Sequence, residues 1–236
     1  KFGWQIPDFS VNGSRGRDYI NGVINYLSEI EDSFNSVWIS DHLFCWVRSQ
    51  DPAKDSLECW TTMSYLAGTF KNLDFGSIML CNAFRNPALL AKMSATFSML
   101  TGGRFILGIG AGWNEDEFRA YGYSFPNAAV RIKQLEEAIQ VIRKMWTEDA
   151  PSFVGRHYKI EKAHCNPKPD PMPPILIGGE GEKLLLRAVA RHADWYNLYG
   201  STLETYKHKL MVLEDHCSKV GRDPNEIKLV AVSKTV

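Results

Sequence analysis

Apolar positions along this chain follow two alternating rhythms. Short continuous apolar runs, bounded by Gly, Pro, Asn or Asp, read as strands buried on both faces. They fall at 2–9 (closed by Pro7 and Asp8), 36–40, 73–80, 105–109, 174–177, 193–199 and 227–236. Between them, apolar residues recur at helical spacing. Ile20, Val23, Ile24 and Leu27 share one face of a helix over 17–30, and a second helix is expected over 57–69. Asn86 and Pro87 form an N-cap followed by Pro at the first helical position. The helix they start carries Leu90, Met93, Phe97 and Leu100 and stops at Gly102 and Gly103. Ile132, Leu135, Ile139, Ile142 and Trp146 define the clearest amphipathic helix. Further helices are expected over 182–191 and over 203–220, the latter ended by Gly221.

Strands that alternate with helices predict a parallel sheet covered by helices. Seven such steps without a reversal of pattern favour a TIM-type (β/α)8 barrel over a doubly wound sheet, with either the last strand and helix missing from the chain or the barrel closed in another way. The whole of 1–236 reads as one such domain. A Pro-rich excursion at 148–173 interrupts the rhythm. Within it, 153–158 looks like a short hairpin, and His164 and Cys165 read as surface.

Composition narrows the class. The 236 residues are 44% hydrophobic and 23% charged, with formal net charge zero, as in an ordinary globular protein with one sizeable core. No basic stripe points to nucleic acid, and no apolar run approaches membrane-spanning length. Five scattered cysteines, an odd number and never in a C-x-x-C pair, argue against a disulfide framework and against a metal site. Reduced thiols in a cytoplasmic protein are the expectation, with no secretory signal visible. The Asn12-Gly13-Ser14 sequon is then a chance match.

In a barrel of parallel strands, the C-terminal strand ends build the site. The second strand delivers Asp41 and His42, and the third delivers Ser77, Ile78, Met79 and then Asn82. The fourth opens into Gly108, Gly110 and Gly112, followed by Trp113 and Asn114. Without a Cβ, these glycines let a flat ligand approach the backbone. They can equally be a purely structural turn. A dinucleotide fingerprint is disfavoured: the third glycine is misplaced, and three strands precede this one. The fifth strand runs into Gly178, Gly179, Glu180 and Gly181 ahead of a helix, where free N–H groups favour an anion such as phosphate. A tight turn into the helix would use the same residues. His42 can exchange protons near neutral pH or hold a ligand carbonyl. Adjacent strand residues point to opposite faces, so direct pairing of Asp41 with His42 is not expected. Trp46 and Trp113 wall the pocket or belong to the core.

Asp41-His42 after a buried strand, the run Arg85-Asn86-Pro87-Ala88-Leu89-Leu90-Ala91, the glycine segment from Gly102 to Glu115, and Pro174-Ile175-Leu176-Ile177-Gly178-Gly179 occur in order along the whole chain. Together they resemble the bacterial luciferase-like superfamily, and within it the oxidoreductases that use the deazaflavin coenzyme F420. The resemblance implies a barrel holding an isoalloxazine-type ring at its C-terminal mouth. It implies a non-prolyl cis peptide at Ile78-Met79, where a bulge presses against the ring. It places the cofactor among Asp41, Ser77, Ile78, Met79, Gly110, Gly112, Trp113 and Asn114, with the phosphate at Gly178, Gly179, Glu180 and Gly181. His42, the catalytic candidate, would contact the ring or act as proton donor, and Trp46 would be a substrate-pocket residue. Trp113 stands where the sugar-phosphate dehydrogenase branch has an acidic residue, which argues against sugar-phosphate oxidation. A homodimer through 57–69 and 86–100 is also implied.

The reading that results is a hydride transfer between F420 and a small organic substrate. An FMN-dependent, oxygen-using monooxygenase is the alternative, and a non-catalytic flavin- or deazaflavin-binding protein is a third. The substrate pocket is expected from loops at 43–56 and 148–173.

Overall fold

The computed structural model describes residues 1–47, 50, 51, 53–199 and 202–232. Seven parallel strands form one curled sheet: β1 (Gly3–Gln5), β2 (Ser36–Ile39), β3 (Asp74–Ser77), β5 (Phe105–Gly110), β8 (Ile175–Gly178), β9 (Trp195–Tyr199) and β10 (Lys228–Val232), paired in that order. A two-residue strand, β4 (Leu80–Cys81), continues β3 and pairs with β5. The expected single strand at 73–80 is thus two short ones, and the peptide Ile78-Met79 between them is cis. The helices are α1 (Gly16–Ile30), α2 (Cys59–Thr69), α3 (Pro87–Thr101), α4 (Glu115–Ala120), α5 (Ala128–Thr147), α6 (Leu185–His192) and α7 (Leu203–Val220). Among the described residues the topology is that of a (β/α) barrel with seven main strands, β1 and β10 being the two ends of the sheet.

Period-two alternation sorts the strand side chains. Phe105, Leu107 and Ile109 of β5 join the large core beneath the helices, whereas Ile106 points the other way. There it meets Trp38 of β2 and Leu176 of β8, packed against Trp195 and Val230, and these fill the sheet's inner face. On the outside, α5 buries Leu135, Ile139, Ile142, Met145 and Trp146. Each such side chain contributes about 1.5–3 kcal/mol relative to exposure. Trp146 also donates its indole N–H to Ala91 O on α3 at 3.0 Å.

Several boundaries differ from expectation. β1 is shorter than 2–9, because Pro7 has no N–H to continue the ladder. Residues 233–236 of the last expected strand lie outside the described residues. Helix α4 was not anticipated; its six residues are too few to show a periodicity. The excursion at 148–173 holds an antiparallel pair, β6 (Phe153–Val154) and β7 (Lys159–Ile160). Cys165 corrects a sequence expectation. It is fully buried, with Sγ 3.8 Å from Ala91 O, because the Pro-rich stretch folds back onto α3. All five thiols are free and buried. No helix among the described residues is long and apolar enough to cross a membrane.

Candidate active site

The C-terminal strand ends converge on one cavity of about 500 Å³. β2 contributes Asp41 and His42 to its wall, the β3–β4 break contributes Ile78 and Met79, and β5 contributes Gly110, Gly112, Trp113 and Asn114. β8 contributes Gly178, Gly179 and Gly181, and Trp46 closes the side next to His42. Of the residues expected around the cofactor, Ser77 and Glu180 are absent from this wall, as are Asn82 and Gly108 of the strand ends. Ser77 is fully buried in the sheet, where its hydroxyl donates to Gly108 O at 2.7 Å and accepts from Gly108 N at 3.1 Å. Glu180 is exposed to solvent, so only its backbone is near the other glycine-loop residues. Residues 148–173 contribute nothing to the cavity wall among the described residues. Of the loop at 43–56, positions 48, 49 and 52 lie outside the described residues.

Asp41 and His42, just past the end of β2, do not bond each other, and each has its own partner. Asp41 accepts two bonds from Arg85, 2.7 and 2.9 Å, and one from Cys81 N at 2.9 Å. Burial pushes the Asp41 carboxyl upward, opposed by the Arg85 fork and the Cys81 N–H. The same pair raises the Arg85 guanidinium against its own burial. Arg85 also bonds Glu58, whose carboxylate caps α2 through Trp60 N and Thr61 N. Asp41 therefore ties the end of β2 to β4 and to the start of α2.

His42 faces Glu117 instead. Its Nδ1 lies 3.1 and 3.2 Å from the two carboxylate oxygens, and Glu117 Oε1 also accepts from Leu43 N at 2.8 Å. Glu117 is only 3% exposed. A carboxylate can only accept, so it fixes the Nδ1–H form of the ring and leaves Nε2 to exchange a proton. Sequence reasoning missed Glu117, which sits in an acidic first turn that resembles a solvated helix end. The signal available was its neighbour Phe118, a large apolar residue that turns this short helix inward.

Aromatic rings frame the mouth. The His42 ring centre lies 5.2 Å from Trp46 and 5.8 Å from Trp113, and the two tryptophans meet edge to face at 5.2 Å. Trp113 is 61% exposed and forms the outer lip. Two N–H groups on this wall are buried without a protein partner: Trp46 Nε1 and Asn114 Nδ2. Such donors are costly to leave unmet and mark places where a ligand acceptor belongs.

The glycines serve the backbone as much as any ligand. A Cβ at Gly108 would stand 1.8 Å from Ser77 O, and one at Gly178 would stand 2.7 Å from Met79 Cε. They let the Ser77-Ile78-Met79 segment lie close against the paired strands β5 and β8. Gly112 has φ +77°, and a Cβ there would meet Cys81 and Phe118. Burial lifts the Cys81 thiol on the cavity wall to about 12, so it stays neutral. Arg131 borders the cavity too, stacked on Phe125 at 3.9 Å and bonded to Gly112 O, with burial drawing its guanidinium downward.

A model of the luciferase-like monooxygenases matches residues 1–236. An F420-dependent glucose-6-phosphate dehydrogenase of Amycolatopsis mediterranei is 32% identical over 216 residues, 91% of this chain and 63% of that protein. An F420-dependent hydroxymycolic acid dehydrogenase of Mycobacterium tuberculosis is 29% identical, over 82% of this chain and 52% of that protein. The chain thus spans less than two thirds of the length of these relatives. Among solved structures, an F420-dependent secondary alcohol dehydrogenase in complex with an F420-acetone adduct superposes with a TM-score of 0.85, at 23% identity, covering 98% of this chain and 68% of that one. It shares the fold. The sequence match over the full chain and the geometry of the strand ends agree: this chain belongs to the luciferase-like monooxygenase family.

Proposed function

We propose that this chain carries the cofactor site of an F420-dependent oxidoreductase that transfers a hydride between the deazaflavin and a small organic substrate. The observation that carries the reading is the convergence of His42, Met79, Gly112 and Gly179 on one cavity. Its volume of about 500 Å³ lies in the range of ligand sites. The donor set fits the group: Trp46 Nε1 and Asn114 Nδ2 are unmet donors beside a mostly apolar wall, and the Gly178–Gly181 backbone suits an anionic tail. Named relatives of this chain use F420, which favours it over the FMN alternative.

When bound, the deazaflavin supplies two-electron chemistry as a hydride carrier. The rest is the protein's. Met79, seated between Gly110 and Gly178, backs the ring face. Asn114 and Trp46 orient acceptor atoms. Glu117 holds the His42 imidazole in one tautomer, so that Nε2 takes or gives the proton that accompanies hydride transfer. Trp46 and Trp113 shield the mouth from water and shape the substrate space. The neutral Trp113 lip argues against a sugar phosphate as substrate.

The same reading includes a homodimer. Tyr65 of α2 and Leu89, Met99 and Leu100 of α3 are exposed apolar residues on the two helices expected to pair. Five reduced thiols suit a cytoplasmic setting.

Titration of the purified protein with F420 and with FMN, followed by absorption and fluorescence, tests the cofactor. Saturable F420 binding with a weaker FMN response supports the proposal. FMN binding accompanied by substrate-dependent oxygen consumption would overturn it in favour of a monooxygenase.

A further inference from the structure

The loop after β8 has a feature that no single residue reveals. Four successive carbonyl oxygens each accept a hydrogen bond from a different protein donor. Gly179 O accepts from the Tyr196 hydroxyl at 3.0 Å, and Glu180 O accepts from Lys209 Nζ at 2.8 Å. Gly181 O accepts from Leu186 N at 3.0 Å, and Glu182 O accepts from His216 Nε2 at 2.8 Å. A carbonyl cannot donate, so His216 carries its proton on Nε2. Burial raises the Tyr196 phenol, which keeps it a donor. The peptide bonds from 179 to 183 are trans, and across a trans peptide each N–H points opposite to the preceding C=O. The donors on β9, α6 and α7 therefore turn the N–H groups of Glu180, Gly181, Glu182 and Lys183 away from themselves, while Gly179 and Gly181 border the cavity.

Lys209 is the charged member of this set. Its side chain is only 12% exposed. Besides Glu180 O it bonds Glu182 Oε1 at 2.6 Å, and His208 Nε2 meets the same oxygen at 3.1 Å. One ammonium thus clamps two residues of the loop, from a helix 27 residues further along the chain.

We propose that Lys209 of α7 is a positioning residue for the cofactor's phosphate. It locks the Glu180 peptide so that the loop N–H groups form an anion cradle, and it offsets the Glu182 carboxylate that would otherwise repel an anion there. His216 and Tyr196 set the neighbouring peptides in the same way. This proposal rests on the cofactor reading above and names the residues that shape its anionic end.

The test compares K209M and K209R with the wild type in titrations of four compounds: F420, its riboside core without phosphate or tail, FMN and riboflavin. K209M is expected to weaken the phosphorylated member of the pair that binds by about 10- to 100-fold and its unphosphorylated counterpart by less than about 2-fold, with K209R restoring most of the loss. Equal weakening of both members, or no change in either, overturns the proposal, and thermal unfolding of each variant checks that the fold is intact. If the wild type binds only the FMN and riboflavin pair, the F420 reading falls while the ratio within that pair still decides the role of Lys209. If the wild type binds phosphorylated and unphosphorylated members equally, the loop is no phosphate cradle and the Lys209 proposal falls. Binding of none of the four overturns both.

Discussion

His42 Nδ1 lies 3.1 Å from Glu117 Oε1, although 75 residues separate the two in the chain. Glu117 can accept from Nδ1–H but cannot donate to it, so it selects one tautomer. The isosteric change E117Q keeps an acceptor for Leu43 N but presents an NH₂ group to Nδ1. The ring would then carry its proton on Nε2 instead. General acid–base catalysis is worth roughly 10²- to 10⁴-fold, so E117Q should lower kcat by about 10²-fold and H42A by at least as much. Cofactor affinity should stay within about 3-fold of wild type, because the uniform binding contacts are untouched. An E117Q enzyme with unchanged kcat would remove Glu117 from the mechanism.

Asp41 contributes to the same strand end through stability rather than chemistry. Its carboxylate is 1% exposed and its partner Arg85 is 12% exposed. D41N leaves Arg85 with only the part-exposed Glu58 as a charged partner, and breaking a buried pair costs up to about 3–5 kcal/mol. D41N should therefore lower the urea midpoint sharply. A double D41L/R85M variant should recover part of the loss, since neither charge is then stranded. A D41N protein as stable as wild type would mean that the pair is not intact in solution.

Much of this site could be read from the chain, and the remainder fails for specific physical reasons. Asn86 and Pro87 announced the start of α3, and the spacing from Leu135 to Trp146 announced the face of α5, because capping and periodicity are local. That His42, Met79, Gly112 and Gly179 border one cavity could be expected, because a parallel strand delivers its last residues to one end of the sheet. Glu117 was not, since its burial comes from Phe118 and from Leu43 far away in sequence. Arg85 was quoted only as part of a motif, and its bond to Asp41 is a tertiary event. Cys165 looked exposed in its Pro-rich setting because nothing local shows that the segment folds onto α3. In sequence the glycine at 108 suggests room for a flat ligand and that at 178 an anion-binding turn, each with a structural alternative; the tighter constraint comes from Ser77 and Met79.

Those two glycines give a graded prediction. A Cβ at position 108 would run into a backbone oxygen, Ser77 O, which cannot swing aside. At position 178 it would meet Met79 Cε and Cγ, parts of a flexible side chain. Overpacking costs about 1–3 kcal/mol and more where backbone must move, so G108A should be the more destabilising by at least about 1 kcal/mol. G178A should fold but shift Met79 into the cavity and weaken cofactor binding. Equal stability of the two variants in urea unfolding would contradict this account of the bulge.

The acid stability of the protein should carry the mark of His192, far from the cavity at the end of α6. Burial, and after it the charges of Arg191, Arg143 and Arg222, pull its imidazole down from 6.5 to about 4. Glu136 Oε1 is 3.8 Å from Nε2, too far for a hydrogen bond that would offset them. Once unfolded, His192 takes up a proton near its ordinary value, whereas in the folded protein it does not until about pH 4. Unfolding therefore binds a proton between those limits. The stabilisation is complete above about pH 6.5 and falls as pH drops, with roughly 3 kcal/mol gone by pH 4. Replacement by a residue that does not titrate, H192Q, removes this contribution to the slope. Carboxylates held below their ordinary values, such as Glu58 and Glu137, also destabilise the fold in acid, but equally in both proteins. The difference in unfolding free energy between wild type and H192Q, measured in urea at pH 7 and at pH 4.5, should thus narrow or reverse toward low pH. Parallel curves over that interval would show that His192 is already protonated, or free to become so, in the native protein.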